Sequence, residues 1–205
     1  MNNKQILESY ISEHFPQRST EIMEKLTSYF DWLVEINQQI NLISRKTDPE
    51  TIWTTHILDS LLIHPFVNLN GKEVLDFGTG GGFPGIPLAI LYPESTMYLL
   101  DSKRKKVKVL SEACKTIGIT NCRFVHARIE DAEYHYAETF DVILSRSVRI
   151  TPELKRPLVA VCRKGGKIFL YKSIQLEDAD LFKKKKVHDV SLDCIGTRNI
   201  VEINR

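Results

Sequence analysis

Apolar positions in the first third of the chain recur at three- and four-residue steps. Ile22, Leu26, Tyr29, Leu33 and Ile36 fall on one face of a helix predicted from about Thr20 to Gln39. A shorter amphipathic piece carrying Ile6, Leu7, Tyr10 and Ile11 precedes it, and a third helix is predicted from about Pro49. There Asp48 can cap the first turn, Pro49 suits it, and Ile52, Trp53, Ile57, Leu61 and Leu62 point inward. Beyond residue 68 the period changes. Short apolar runs at Glu73–Phe77, Thr96–Leu100, Arg123–His126, Asp141–Leu144 and Lys167–Tyr171 alternate with helical stretches at Ile86–Leu91, Lys103–Ile117 and Pro152–Cys162. That alternation predicts right-handed crossovers and a largely parallel sheet covered on both faces. Val187–Val190 and Asn199–Ile203 read as two last strands, a hairpin finishing the sheet edge. The expected division is therefore a helical cap over residues 1–68 on an α/β domain over 69–205, a doubly wound sheet of seven strands.

Composition adds little to this picture. Of 205 residues, 42% are apolar and 26% charged, so a substantial core is expected without a disulfide or structural metal. Cys114, Cys122, Cys162 and Cys194 have no C-x-x-C spacing, and the histidines lack ligand spacing, so no metal site is expected. No run approaches the roughly 18 apolar residues that a membrane span needs, and Met1–His14 does not read as a secretory signal. A cytoplasmic monomer is the expectation. A net charge of +2 is too small to argue for nucleic acid by itself.

The chemistry concentrates in the turn after the first strand, Glu73-Val-Leu-Asp-Phe-Gly-Thr-Gly-Gly-Gly-Phe-Pro-Gly-Ile-Pro87. In open α/β sheets, ligands bind beyond the carboxyl ends of the strands, where glycines let backbone approach them. A dinucleotide fingerprint would require G-x-G-x-x-G, but from Gly78 and Gly80 the third glycine position holds Phe83. Asp76, read here as lying at the mouth of the loop, would repel a pyrophosphate but suits a ligand bearing ammonium and sulfonium charges. S-adenosyl-L-methionine has both. Asp101, about 20 residues further on at the end of the second strand, is placed for ribose hydroxyls, as it would be for NAD too. After the third strand, the loop Ala127-Arg-Ile-Glu-Asp131 sets the backbone and apolar face of Ile129, and the carboxylate of Glu130, against an adenine.

Several segments together resemble the bacterial 16S ribosomal RNA guanine-N7 methyltransferases known as RsmG or GidB. They are Asn41-Leu-Ile-Ser44, His56-Ile-Leu-Asp-Ser60, the Leu75–Pro87 loop, Leu99-Leu-Asp-Ser-Lys-Arg-Lys-Lys-Val107 and Phe140-Asp-Val-Ile-Leu-Ser-Arg146. The resemblance implies a class I methyltransferase (Rossmann-like) fold and cofactor contacts at Gly78, Phe83, Ile129, Glu130 and Arg146. It also implies methyl transfer to N7 of a guanine in 16S ribosomal RNA of the 30S subunit or its precursor. Two departures stand out: Ser145-Arg-Ser147 where the family often has Ser-Arg-Ala, and Tyr171-Lys-Ser173 where it often has Leu-Lys-Gly.

Guanine N7 carries no proton, so its attack on a sulfonium methyl needs no general base, and no catalytic acid or base is expected. The chain lacks the Pro-Pro-Tyr of amino-group methyltransferases and the Pro-Cys of those that attack cytosine C5. Arg146 is expected near the methyl-transfer centre, in contact with cofactor or target nucleotide, while His56 and Asp59 suit a lid contact or a pairing that fixes the cap. Candidate phosphate contacts are Lys103–Lys106, Lys108, Arg146, Arg149, Lys164 and Lys183–Lys186. The competing readings are a methyltransferase with a small-molecule or protein acceptor, a nicotinamide-dependent oxidoreductase, and an RNA chaperone without turnover.

Overall fold

The computed structural model describes residues 1–205. Its centre is a seven-stranded sheet, β1 (Glu73–Phe77), β2 (Thr96–Asp101), β3 (Cys122–His126), β4 (Phe140–Arg146), β5 (Cys162–Lys172), β6 (Lys185–Asp189) and β7 (Asn199–Asn204). The order is β3-β2-β1-β4-β5-β7-β6. The first five strands run parallel, and β7 lies antiparallel between β5 and β6. The predicted terminal hairpin is present and supplies the edge. Strand order reverses between β1 and β4, which opens a crevice at their carboxyl ends.

Both faces are covered, which is why the central strands read as apolar runs rather than alternating ones. On one face Val74, Leu99, Val142, Leu144 and Phe169 join α1 (Asn3–His14), α2 (Ser19–Asn37), α5 (Gly85–Leu91) and α6 (Arg104–Ile117) in a cluster of 35 buried residues. On the other, Leu75, Phe77, Ile143, Ile168 and Leu170 pack with α7 (Ile129–Tyr136) and α8 (Pro152–Val161) in a cluster of 17. Residues 1–68 thus share one core with the sheet rather than forming a core of their own. No helix is long and apolar enough to cross a membrane.

Among the helices, two differ from expectation. The acidic stretch after β3, read as a loop, is helix α7, which buries only Ile129 and Ala132 and so shows little periodicity. The helix from Pro49 begins as expected, with the Asp48 side chain accepting from Glu50 N, but is not uniform: α3 (Pro49–Ile52) widens into a π-helical segment, Trp53–Leu58, before α4 (Asp59–Leu61). Such wide turns free backbone carbonyls and often accompany functional sites.

Candidate cofactor and acceptor site

The glycine-rich turn lies where the sequence places it, between β1 and α5, but Asp76 does not lie at its mouth. The carboxylate is fully buried beneath the loop, because Asp76 and Val74 share the strand face turned toward α5. Asp76 Oδ2 accepts from Thr79 Oγ1 at 2.6 Å and from Gly85 N at 2.9 Å, tying the start of the loop to its end. Burial pushes this carboxyl up to about 6, against the two hydrogen bonds that favour its charged form. Its other oxygen has no hydrogen-bond partner in the chain. Close helix–strand approach occurs at Gly85, so Phe83 does not occupy the position where the missing third glycine would have mattered. Gly78 takes a φ of +76°, open to glycine at little cost, and an added Cβ would lie 2.5 Å from Val148 Cγ2.

A cleft of about 520 Å³ opens beside the loop, lined among others by Gly78, Gly80, Asp101, Ile129, Glu130 and Arg146. Six of the seven predicted cofactor residues therefore border one cavity. Asp101 is held by the backbone, its Oδ2 accepting from Gly80 N at 3.0 Å and its Oδ1 from Lys103 N at 2.8 Å, and each oxygen keeps a second lone pair. Ile129 and Glu130 open α7, whose N-terminus has no side-chain cap, so the first amides of the helix are left without an intrahelical partner at the cleft wall. Phe83 is the exception. Its ring is buried in the core between Tyr29, at 5.5 Å, and the stacked His56 ring, at 5.1 Å, with the Arg146 guanidinium 5.0 Å away.

The cap reaches over the loop. Asn37, at the end of α2, accepts through Oδ1 from Leu42 N at 2.8 Å and Ile43 N at 3.0 Å, which holds Asn41-Leu-Ile-Ser44 above the glycines. Leu42 becomes part of the cleft wall, and the Tyr29 hydroxyl donates to the Gly81 carbonyl. The sequence showed 41–44 only as a family segment; an asparagine at a helix end was the one hint of how it is held.

Arg146 sits in the wall shared by the cleft and a second, strongly polar cavity of about 720 Å³. Its guanidinium is not free. It donates to Asp59 Oδ2 at 2.9 Å, to His56 Nδ1 at 2.8 Å and to the Thr55 carbonyl at 3.2 Å, the last a carbonyl of the π-helical segment. Arg198, between β6 and β7, closes the cluster with Nε 2.6 Å from Asp59 Oδ1. Asp59 is fully buried, so one carboxylate is shared by two arginines. His56 and Asp59 thus take the cap-fixing role. Lys172 pairs with Asp178, which also accepts from Ile150 N at 2.8 Å and so anchors the segment after β4. The departure at 171–173 is accommodated by the cap, since the Tyr171 hydroxyl donates to the Ser60 carbonyl at 2.8 Å. Ser147, the other departure, holds a φ of +61° between the two cavities.

Burial, together with Arg146 and Arg198, pushes His56 down to about 3 from its ordinary 6.5, so the imidazole is neutral and its Nδ1 accepts. A histidine lowered on folding contributes stability that is present above about pH 6.5 and lost as pH falls toward 3. The unfolding midpoint of the wild type is therefore expected to drop more steeply between pH 6.5 and 4 than that of His56→Asn. Parallel profiles for the two proteins would contradict the neutral, arginine-bonded imidazole.

Of the predicted phosphate contacts, Lys106 lines the first cavity and Arg149 the second, while Lys185 pairs with Asp180. Lys103, Arg104, Lys105 and Lys108 cluster, exposed, at the start of α6 beside the cleft. The candidates do not form one patch.

A 3-2-1-4-5-7-6 sheet with a glycine turn after β1 and an acid at the end of β2 defines a class I S-adenosylmethionine-dependent methyltransferase. Solved structures agree on the fold: a SAM-dependent methyltransferase from Aquifex aeolicus (15% identity, TM-score 0.59, 85% of this chain and 97% of that one) and TrmN from Thermus thermophilus (22%, 0.56, 72% and 48%). The chain belongs to the GidB family, rRNA small subunit methyltransferase G, whose model matches residues 22–198. It is 42% identical to the ribosomal RNA small subunit methyltransferase G of Desulfitobacterium hafniense over 87% of this chain and 77% of the relative. The corresponding figures for that of Bacteroides fragilis are 35%, 88% and 98%. Family membership sets the oxidoreductase reading aside.

Proposed function

We propose that the chain transfers a methyl group from S-adenosylmethionine to N7 of a guanine in the RNA of the small ribosomal subunit. The observation that carries this reading is the state of the ionisable groups where the two cavities meet. Asp59 is ion-paired with two arginines, His56 is neutral with its Nδ1 occupied, and Lys172 is paired with Asp178. The groups at this junction position an acceptor rather than deprotonate it, the one uncommitted carboxylate, Glu177, standing further out in the wall of the second cavity, and this suits N7, a bare lone pair.

The 520 Å³ cleft fits the cofactor by its donor set. Leu42, Phe77, Leu100, Ile129 and Leu154 give apolar walls for an adenine, Asp101 retains lone pairs for ribose hydroxyls, and Gly78 and Gly80 leave backbone exposed to the ligand. When bound, the cofactor supplies an electrophilic methyl on a sulfonium. The protein's part is to hold the acceptor in line at about 3–3.5 Å and to exclude water. Arg146, pinned by Asp59 and His56, fixes the wall between donor and acceptor and keeps a positive charge beside the acceptor cavity. Arg149, which has no ion-pair partner, is available there for phosphate. The proposed active unit is a monomer acting on the 30S subunit or its precursor.

The test is transfer of labelled methyl to small subunits from a strain lacking the modification, followed by mapping of the base. The label is expected on N7 of one guanine in 16S ribosomal RNA. Label on an exocyclic amino group or on cytosine would overturn the assignment.

A further inference from the structure

We propose that Glu177 reads the Watson–Crick edge of the target guanine and so sets base specificity; this rests on the guanine reading above. The 720 Å³ cavity has three carboxylates in its wall, Asp59, Asp178 and Glu177. The first is consumed by Arg146 and Arg198, the second by Lys172 and the Ile150 amide. Glu177, the first residue of the 3₁₀ turn Glu177–Leu181 after β5, is exposed and has neither an ion pair nor a side-chain hydrogen bond. It is the one uncommitted anion in a cavity otherwise furnished with Arg146, Arg149, Lys172 and Arg198. Cations there suit the phosphate of an extruded nucleotide; a lone acceptor-only group suits a different part of it.

The sheet order says which part. The end of β4 and the residues after it (Arg146, Ser147, Val148) border both cavities, and the segment after β5 (Ser173, Gln175, Glu177) borders only the 720 Å³ one. Neighbouring strands are about 4.8 Å apart, comparable to the width of a purine. With N7 turned toward the β4 side, where the methyl donor lies, the opposite edge of the base faces the β5 side. For guanine the groups turned away from N7 are N2–H and N1–H, both donors, while the acceptor O6 lies on the N7 side of the ring. A carboxylate accepts the two donors. Adenine offers an acceptor at N1, which a carboxylate repels.

The experiment compares wild type and Glu177→Gln on small subunits reconstituted with either guanine or inosine at the modified position, since inosine keeps N7 and lacks the N2 amino group. Cofactor affinity is measured alongside by titration with S-adenosylmethionine. Wild type is expected to lose roughly tenfold or more in kcat/KM on inosine, as removal of a hydrogen bond to a charged group implies. Glu177→Gln is expected to lose a similar factor on guanine, to show little further loss on inosine, and to bind the cofactor as wild type does. Guanine methylation by Glu177→Gln at the wild-type rate, or an undiminished inosine penalty in that variant, would overturn the assignment while leaving the methyltransferase reading intact. A wild-type enzyme inert on guanine would overturn both.

Discussion

Asp59→Ala is expected to remove about 3–5 kcal/mol of folding stability, the usual consequence of deleting one partner from a buried ion pair. The carboxylate is fully buried and is the counter-charge for both Arg146 and Arg198, which are themselves only 10% and 20% exposed. Without it two guanidinium groups lose the buried counter-charge they share, beside an imidazole that already accepts from one of them. Domains of this kind have about 5–15 kcal/mol in total, so the loss is large. The cap loses its principal polar tie to β4 and to the hairpin in the same step. Urea unfolding checks the prediction, and Asp59→Asn, which keeps an oxygen acceptor, is expected to fall between alanine and wild type. A loss below about 1 kcal/mol in Asp59→Ala, the range of exposed pairs, would show that the cluster is solvated.

Gly85→Ala is the second large effect. A Cβ at this position would lie 2.6 Å from Asp76 Oδ2 and 3.1 Å from Asp76 Cβ, and closer still to Leu99 Cδ2. Overpacking a core ordinarily costs about 1–3 kcal/mol. Here the upper end is expected, because relief requires α5 to lift from β1 and β2, and that movement stretches the Gly85 N–H to Asp76 hydrogen bond closing the glycine loop. The loop carries Gly78 and Gly80, so cofactor affinity is expected to fall with stability. Thermal unfolding with and without S-adenosylmethionine measures both. A Gly85→Ala protein within about 0.5 kcal/mol of wild type, the range of neutral surface changes, would mean that the helix stands off the sheet.

The parallel sheet was legible because strands buried on both faces read as unbroken apolar runs; of the terminal hairpin only β7 is buried in this way, β6 being an exposed edge strand. The start of β5 was not legible, since Arg163-Lys-Gly-Gly166 interrupts its hydrophobic signal although the strand runs from Cys162 to Lys172. Helix α7 escaped because two buried residues make no period, and the π-helical segment because its wider turn shifts the helical register that sequence periodicity relies on. At the site, the residues around the cleft were legible from strand ends and glycines. Asp76 was misread as facing the ligand; its strand parity with Val74 was the overlooked signal. The roles of His56, Asp59, Arg146 and Arg198 could not be read together, since they meet only when the cap, β4 and the hairpin fold onto one another.

The central claim is that the crevice between β1 and β4 receives a sulfonium nucleoside against the Gly78 turn and Asp101. Calorimetric titration of the wild type and of Gly78→Val with S-adenosylmethionine and with NAD tests it most directly. The account predicts that wild type binds S-adenosylmethionine and ignores NAD. It also predicts that Gly78→Val, folded by circular dichroism, binds neither, because its side chain would be driven into Val148 and the cleft at a backbone φ suited to glycine. Binding of NAD by the wild type, or unchanged S-adenosylmethionine affinity in Gly78→Val, would contradict it.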